Sequence, residues 1–266
     1  MTAIAVEQQA RTSRAVPRRV PMTRIVGVEL RKMFDTRSGF WLMVSIVAAA
    51  VLASGAVIAF APDREISFDT MAGAFGVPMT VILPMVAILS VTSEWSQRSG
   101  LTSFTLVPHR GRVIMAKAVS AVLVAVVSIP LALGVGAVGN LVASAIHGTD
   151  LVWDISLLHA TEIVLGNVLG LMVGFTLGVL IRNSAGAVVG YFVYALLLPT
   201  LSGLLAANQD WFRSLQPWVD FNFAQGQLFG GDMGATQWAH LGTAGALWLV
   251  LPLLVGLRLV MRTEVK

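Results

Sequence analysis

Cysteine is absent from the chain, and charged side chains are scarce: Asp, Glu, Lys and Arg make up 12% of its 266 residues. Without cysteine the protein forms no disulfide, no thiolate metal site and no cysteine nucleophile. An ordinary soluble domain is about 25% charged, so this chain has too few polar groups for a surface that faces water on all sides. With 56% hydrophobic residues and a mean hydropathy of +0.79, the composition predicts a protein largely surrounded by lipid.

Sequence motifs of several enzyme classes are also missing. The chain has no G-x-x-x-x-G-K-[ST] loop to bind ATP phosphates, no H-E-x-x-H zinc motif and no G-x-S-x-G nucleophile elbow. It also lacks the paired ionisable residues that ion-driven transporters normally place near the middle of the membrane. We therefore expect no catalytic residue, metal site or cofactor in this chain, and we expect any energy for transport to come from another subunit.

Six apolar stretches are long enough to cross the ~30 Å hydrocarbon core, which takes about 20 helical residues. They comprise residues 40–61, 71–92, 113–146, 157–181, 185–207 and 238–261. This pattern predicts an all-α, polytopic membrane protein in which residues 1–21 form a disordered tail and residues 22–266 form one six-span domain. The third stretch is longer than a bilayer requires. We expect Lys117 near its start to lie in or below the interface, because a lysine at the bilayer centre costs roughly 2.5 to 3.5 kcal/mol.

The basic residues predict the orientation, because Lys and Arg near the ends of spans stay in the cytoplasm. Of the 18 Lys and Arg residues, only Arg64 and Arg213 fall on the side opposite the two termini. We therefore expect both termini in the cytoplasm and a multi-pass protein of the cell membrane, most simply the inner membrane of a prokaryote. The pI near 10.1 then reflects topology. A nucleic-acid partner is not expected, because the chain has no folded basic domain to present. The opposite loops are acidic, with Asp63, Glu65, Asp69, Asp150, Asp154, Asp210, Asp220 and Asp232.

Two cytoplasmic segments have their own patterns. Residues 22–39 predict an amphipathic helix before the first span, and its simplest role is a basic anchor on anionic lipid. Residues 93–117 form the longest cytoplasmic connection, and an apolar ridge precedes Pro108 in it. That ridge needs a surface to dock on, either a partner or the protein's own helix ends. The apolar face of the first helix is expected to contain Met22, Val26, Leu30, Met33 and Phe34, and the ridge contains Leu101, Phe104 and Leu106.

The outer segment 208–237 is rich in Trp and Phe. Amphipathic rings are favoured at the membrane interface, so this segment predicts helices that lie in the outer interface or dip into it. An aromatic belt without further function explains the same composition equally well.

Small and polar residues inside the spans add packing signals. Span four carries Gly166, Gly170, Gly174 and Gly178 at four-residue spacing, which lets another helix approach until backbones touch. The sequence leaves open whether that helix belongs to this chain or to another. Prolines in spans two, three, five and six permit kinks around a cavity. Tyr191 and Tyr194 share one face of span five, where each hydroxyl needs a partner, either a neighbouring helix or a passing substrate.

Six spans with both ends inside, the leading sequence VELRKMFDTRSGFW, the loop EWSQRSGLTSFTLVPHRGRVIMAK and a long outer segment before the last span resemble the permease subunits of type-two ABC exporters. Such permeases typically show a Glu, a Gly-Thr-like turn, an apolar step, a Pro and basic residues before a Lys that opens span three. Leu101 departs from this pattern by separating the Gly from the Thr. The matching residues here are Glu94, Gly100, Thr102, Leu106, Pro108, Arg110, Arg112 and Lys117.

The resemblance implies that this loop is a coupling helix that docks on a separate cytoplasmic ATPase, which would hold ATP and Mg²⁺. The helix before span one, with Leu30, Arg31, Lys32 and Phe34, would flank the same junction. The resemblance also implies a complex of two ATPases and two permeases, either two copies of this chain or this chain and a paired permease, in contact with membrane lipid.

The resemblance to these permeases, taken helix by helix, also implies that spans two and five line the translocation path. That would bring Phe75, Pro78, Tyr191 and Tyr194 near the path. Neither span carries a charge. We therefore expect a hydrophobic or amphiphilic substrate, such as a drug, lipid or peptide. Two other functions stay open: a scaffold or sensor subunit that transports nothing and assembles through the glycine stripe, and a secondary transporter driven by an ion gradient.

Overall fold

The computed structural model describes residues 20–96, 110–231 and 233–262. Within these ranges the chain is helical without a β-strand, and six helices are long and apolar enough to cross a membrane. The predicted all-α architecture with six spans is confirmed, and each span begins and ends within three residues of its predicted position.

The helices are numbered α1 to α9 in chain order. Helix α1 (Met22–Asp35) precedes the first span, and α2 (Arg37–Phe60) forms it. The other long helices are α3 (Phe68–Ser96), α4 (Arg110–His147), α5 (Leu157–Ile181), α6 (Ser184–Asn208) and α9 (Ala235–Arg262). The shorter helices α7 (Asp210–Val219) and α8 (Phe221–Gly226) and the 3₁₀ turns Asp63–Glu65 and Gln227–Phe229 complete the described chain.

The long helices alternate in direction, so their ends form two groups. The end that carries α1, the start of α4 and Arg262 is called the basic end, and the end that carries Asp63 and Asp154 is called the acidic end. At the acidic end Asp154 Oδ1 accepts the backbone N–H of Asp69 at 2.8 Å. This bond fixes the loop before α5 onto the first turn of α3, where free helix N–H groups favour a carboxylate.

Helix α3 lies at the centre of the bundle and packs against α2, α4 and α5. Its fully buried side chains include Phe75, Met79, Leu83 and Val91. Burial then falls towards the last spans: 56% of the most apolar stretch of α5 is buried inside the chain, but only 11% of that of α6 and 17% of that of α9. Helices α6 and α9 therefore present broad apolar faces to lipid or to another subunit.

Helices α6 and α9 each contain one widened π-helical turn, at Val193–Leu197 and Ala246–Val250. In both cases a proline follows two residues later, Pro199 and Pro252. A proline ring clashes with the carbonyl four residues earlier and supplies no N–H to it. Widening the preceding turn relieves that clash, so these prolines reshape the helix locally, and neither ends it.

The glycine stripe of α5 packs inside this chain, which answers the question that the sequence left open. A Cβ on Gly174 would lie 2.8 Å from the carbonyl oxygen of Pro84, and a Cβ on Gly178 would lie 3.4 Å from Val91. The half of the stripe nearest the basic end therefore lies directly on α3. The other half, Gly166 and Gly170, receives side chains of the outer segment, as described below.

Substitution of glycines by alanine should distinguish the close backbone contact at Gly174 from the ordinary contacts at Gly178. We expect Gly174→Ala to lower the free energy of unfolding by about 1 to 3 kcal/mol, because the added methyl meets backbone that cannot move away. Gly178→Ala meets only ordinary contacts, and Gly203→Ala points into open space. Both controls should unfold within about 1 kcal/mol of the parent protein. Thermal unfolding of the three variants in one detergent checks this, and equal effects at Gly174 and Gly178 would contradict it.

Candidate functional site

The first candidate site is a charged junction at the basic end. The buried stripe of α1 consists of Ile25, Glu29 and Met33, four residues apart and thus on one face. Leu30 is partly buried beside the stripe, whereas Phe34 is 48% exposed. The buried face is therefore displaced from the one predicted, because a carboxylate occupies its centre.

Glu29 is only 4% exposed and contacts two lysines. Its Oε2 accepts from Lys117 Nζ at 2.5 Å, and its Oε1 accepts from Lys32 Nζ at 2.7 Å. Lys117 also donates to the backbone oxygen of Ser90 on α3 at 3.0 Å. A buried charge is costly unless it is paired and hydrogen-bonded. Here Lys117, also 4% exposed, is compensated inside the protein, and one ion pair joins α1, α3 and α4.

Two further hydrogen bonds attach the start of α4 to α1 and to the residues just before it. Ser120 Oγ donates to the carbonyl of Val26 at 3.3 Å, and the Arg112 guanidinium donates to the carbonyl of Val20 at 2.6 Å. Helix α1 therefore lies along the first three turns of α4.

A sharp corner connects α1 to α2. Thr36 caps α2 by accepting the backbone N–H of Gly39 at 3.1 Å. A Cβ on Gly39 would lie 1.8 Å from the carbonyl oxygen of Met33, so only glycine fits the turn. The last turn of α1 therefore packs directly on the first turn of the first span.

Only some of the predicted ATPase-docking residues lie on the described helices next to this junction. Glu94 lies in the last turn of α3 and Arg110 begins α4, and Arg112 makes the contact just described. Arg31 and Lys32 are exposed on α1. Gly100, Thr102, Leu106 and Pro108 lie outside the described residues.

A double-mutant cycle tests the buried pair. We expect Glu29→Leu and Lys117→Met each to lower the free energy of unfolding by about 3 to 5 kcal/mol, because each leaves a buried charge with less compensation. The double variant should be clearly more stable than the sum of the two losses implies. Lys32→Met is the matched control, since Lys32 is half exposed and its ion pair contributes at most about 1 kcal/mol. Thermal unfolding of the four proteins gives the coupling energy, and strict additivity would contradict a direct pair.

The second candidate site is a cavity of about 280 Å³ between α3, α5, α6 and α8. Thr80, Gly170 and Tyr194 on its wall each lie near the middle of their spans, which places the cavity at mid-membrane depth. All of its lining residues are uncharged: Thr80, Val81, Asn167, Gly170, Tyr191, Phe192, Tyr194, Ala195, Leu196, Asn222, Gln225, Gly226 and Phe229.

Two prolines explain the hydrogen bonds of the cavity wall. Pro84 supplies no N–H to the carbonyl of Thr80, four residues earlier, and the Tyr191 hydroxyl donates to that carbonyl instead. In α6 the widened turn shifts each bond by one residue, so the carbonyl of Tyr194 faces Pro199, which again has no N–H. The side chain of Asn222 donates to this carbonyl at 3.2 Å. Side chains thus restore the bonds that the prolines remove, as a membrane interior requires.

The outer segment closes the cavity from the acidic end. The Gln225 side chain donates to the carbonyl of Gly166 at 2.7 Å, and a Cβ on Gly170 would lie 3.0 Å from that amide nitrogen. A Cβ on Gly166 would touch the ring of Phe229 at 2.8 Å. Gly166 lies nine residues along α5, so the segment dips roughly 14 Å into the bundle. Phe221 is buried with it, whereas the tryptophans of α7 remain exposed.

The structure brings only part of the predicted translocation path together. Tyr191 and Tyr194 both line the cavity. Phe75 instead packs in the core, where a Cβ on Gly136 of α4 would lie 3.2 Å from its ring, and Pro78 is partly buried outside the cavity lining. Sequence reasoning missed the amides Asn167, Asn222 and Gln225. A proline inside a span was their available signal, because it predicts an unpaired carbonyl that a nearby polar side chain must satisfy.

The cavity offers hydrogen-bonding and aromatic groups, and none of its lining side chains is Asp, Glu, Lys, Arg or His. Among the described residues, no three His, Asp or Glu side chains are grouped to hold a metal ion. Comparison of the sequence with protein-family models and with curated proteins finds no match. The junction and the cavity are therefore the features of this chain that bear on its function.

The two tyrosines should respond differently to removal of the hydroxyl. Tyr191→Phe leaves the carbonyl of Thr80 without a partner, so we expect a loss of about 1 to 3 kcal/mol in the free energy of unfolding. The buried hydroxyl of Tyr194 has no hydrogen-bond partner among the described residues. Tyr194→Phe should therefore be neutral or slightly stabilising. Thermal unfolding of both variants in detergent decides this, and a larger loss for Tyr194→Phe would contradict these assignments.

Proposed function

We propose that the chain is the membrane-spanning permease subunit of an ABC exporter and forms the path for a hydrophobic or amphiphilic substrate. A separate cytoplasmic ATPase, binding ATP and Mg²⁺, supplies the energy. The observation that carries this proposal is the buried junction of Glu29, Lys117 and Ser90, because it connects both ends of the segment expected to dock on the ATPase.

The junction lies close to that segment on each side. Ser90 precedes the end of α3 by six residues and Lys117 follows the start of α4 by seven, which corresponds to about 9 to 11 Å of helix. We therefore infer that docking of an ATPase between α3 and α4 would move both helices and, through Glu29, α1. Such shifts of packed helices are a common way to change between two conformations, and ATP binding would bias them through differential contacts.

Two observations favour an exporter over the alternatives that the sequence left open. The glycine stripe, on which assembly of a scaffold subunit would depend, is filled by α3 and the outer segment of this same chain. The mid-membrane cavity has an entirely uncharged lining, which offers no acidic side chain to carry a coupling proton. The exposed apolar faces of α6 and α9 leave room for a second permease, either a second copy or a paired subunit.

The predicted orientation gives the complex its direction. The excess of Lys and Arg near the basic end favours a cytoplasmic position for α1, segment 97–109 and both termini, the compartment of the ATPase. The chain is then a multi-pass protein of the cell membrane, and substrate moves outward.

Affinity purification in mild detergent, followed by mass spectrometry, tests the proposal. We expect the tagged chain to retain a stoichiometric soluble ATPase of about 25 to 35 kDa, the usual scale of a single domain. Leu106→Asp and Glu94→Ala should lose this partner or its coupling to transport, because they alter the docking surface. Glu65→Ala, at the acidic end, is the matched control and should retain both. Recovery of the chain alone, with and without nucleotide, would overturn the proposal.

A further inference from the structure

Two residues on the wall of the mid-membrane cavity, Asn167 and Tyr194, each carry a buried polar atom without a partner among the described residues. Asn167 is 5% exposed and Tyr194 is 7% exposed. Neither Asn167 Oδ1 nor the Tyr194 hydroxyl has a hydrogen-bond partner among the described residues. Buried polar groups are almost always satisfied, and an exception calls for an explanation. Two exceptions on the wall of one cavity indicate that something else supplies the missing bonds.

The two groups define what the missing partner must offer. Asn167 Nδ2 donates to the carbonyl of Ile163 at 2.9 Å, and since a carbonyl only accepts, this bond fixes the amide with Oδ1 as its free acceptor. The partner must therefore donate a hydrogen bond to Asn167. The phenol of Tyr194 can donate or accept. A hydroxyl or a neutral amide N–H satisfies both groups, whereas a charged ligand meets no opposite charge on this wall.

The surroundings of Tyr194 hold its side chain in place. Tyr194 lies in the widened turn Val193–Leu197 that precedes Pro199. Its ring is held by Trp248, with ring centroids 5.9 Å apart. Trp248 in turn donates to the carbonyl of Val219 at 2.7 Å. The hydroxyl is thus held in place by its surroundings although no described residue forms a hydrogen bond with it.

The cavity opens sideways at mid-membrane depth. Thr80, Phe192 and Leu196 line it and are also exposed on the outside of the bundle, where α3 and α6 meet lipid or another subunit. A volume of about 280 Å³ is at the lower limit of ligand pockets, roughly 300 to 1,000 Å³. It accommodates a polar head and a few carbons, and an apolar remainder can extend through the opening.

We propose that this cavity, inside a single copy of the chain, binds the hydroxyl- or amide-bearing head of a neutral amphiphile that enters from the membrane. Asn167 Oδ1 accepts the hydrogen bond of the head group, and the Tyr194 hydroxyl completes its hydrogen bonding. This ligand class narrows the substrate of the permease proposed above and rests on that proposal for any role in transport. Binding itself requires only this chain.

Photo-crosslinking of the purified full-length chain in nanodiscs tests the proposal without an ATPase. The probe is decanol with a diazirine on its chain, and its methyl ether, which cannot donate a hydrogen bond, is the matched control probe. We expect the alcohol to label peptides of α5 and α6 that line the cavity, to be displaced by unlabelled decanol, and to label them about three- to tenfold more than the ether, the range for one neutral hydrogen bond. Decyltrimethylammonium should not compete.

Two variants test which side chains bind the head group. Asn167→Leu and Tyr194→Phe should each weaken labelling by the alcohol about three- to tenfold. Ser54→Ala removes a buried, unpartnered hydroxyl that does not line the cavity and should leave labelling unchanged. The comparison of alcohol with ether uses the parent protein, so it holds even where a variant fails to fold. Equal labelling by both probes, or labelling spread over lipid-facing residues in all variants, would mean that the cavity holds only water or lipid chains and would overturn the proposal. Neither result depends on whether an ATPase binds.

Discussion

The need to compensate charges and backbone groups away from water determines how this bundle is held together. The first two spans lie between Glu29 and Lys117 in the sequence, yet these two residues form one buried ion pair. A buried pair of this kind adds little stability over apolar packing, but it penalises every arrangement that separates its members. It therefore fixes the register of α1 against α4, and through the bond of Lys117 to Ser90 it fixes both against α3.

The same requirement shapes the middle of the membrane, where backbone groups take the place of charges. Pro84 and Pro199 each remove a donor, and Tyr191 and Asn222 supply one from a neighbouring element. Gly170 leaves the space through which Gln225 reaches the carbonyl of Gly166. Small residues, prolines and amides thus act together. The cavity lies where these elements meet, and its polar wall follows from the repair of interrupted helices.

Length and periodicity were enough to predict the spans, because a helix that crosses lipid is defined by its own composition. They also predicted that another helix would approach the glycines of α5, which holds for Gly174 and Gly178 but not for Gly166 and Gly170, where side chains of the outer segment lie instead. They could not identify which helix this would be. They also could not place Glu29 on the buried face of α1, because its partner Lys117 lies 88 residues away in the sequence and a local pattern treats a charged residue as exposed. Length and periodicity did not predict the cavity either. Asn167 and Gln225 are brought together by the fold of the outer segment, which no local pattern encodes, and the comparison of whole helices grouped Phe75 with residues that it does not meet.

Helix α3 connects the two candidate sites. The carbonyl of Ser90 lies at the junction and the carbonyl of Thr80 lies at the cavity, ten residues or about 15 Å apart along the same helix. Pro84 falls between them, at the point where α3 lacks a hydrogen bond and can bend most easily. Gly174 of α5 packs directly against this proline. A bend at Pro84 would therefore push α3 against α5 where the backbones of the two helices are closest. In the proposed permease, motion of the basic end would reach the cavity either as a rigid shift of α3 along α5 or as a bend at Pro84, and the close contact with Gly174 favours the rigid shift.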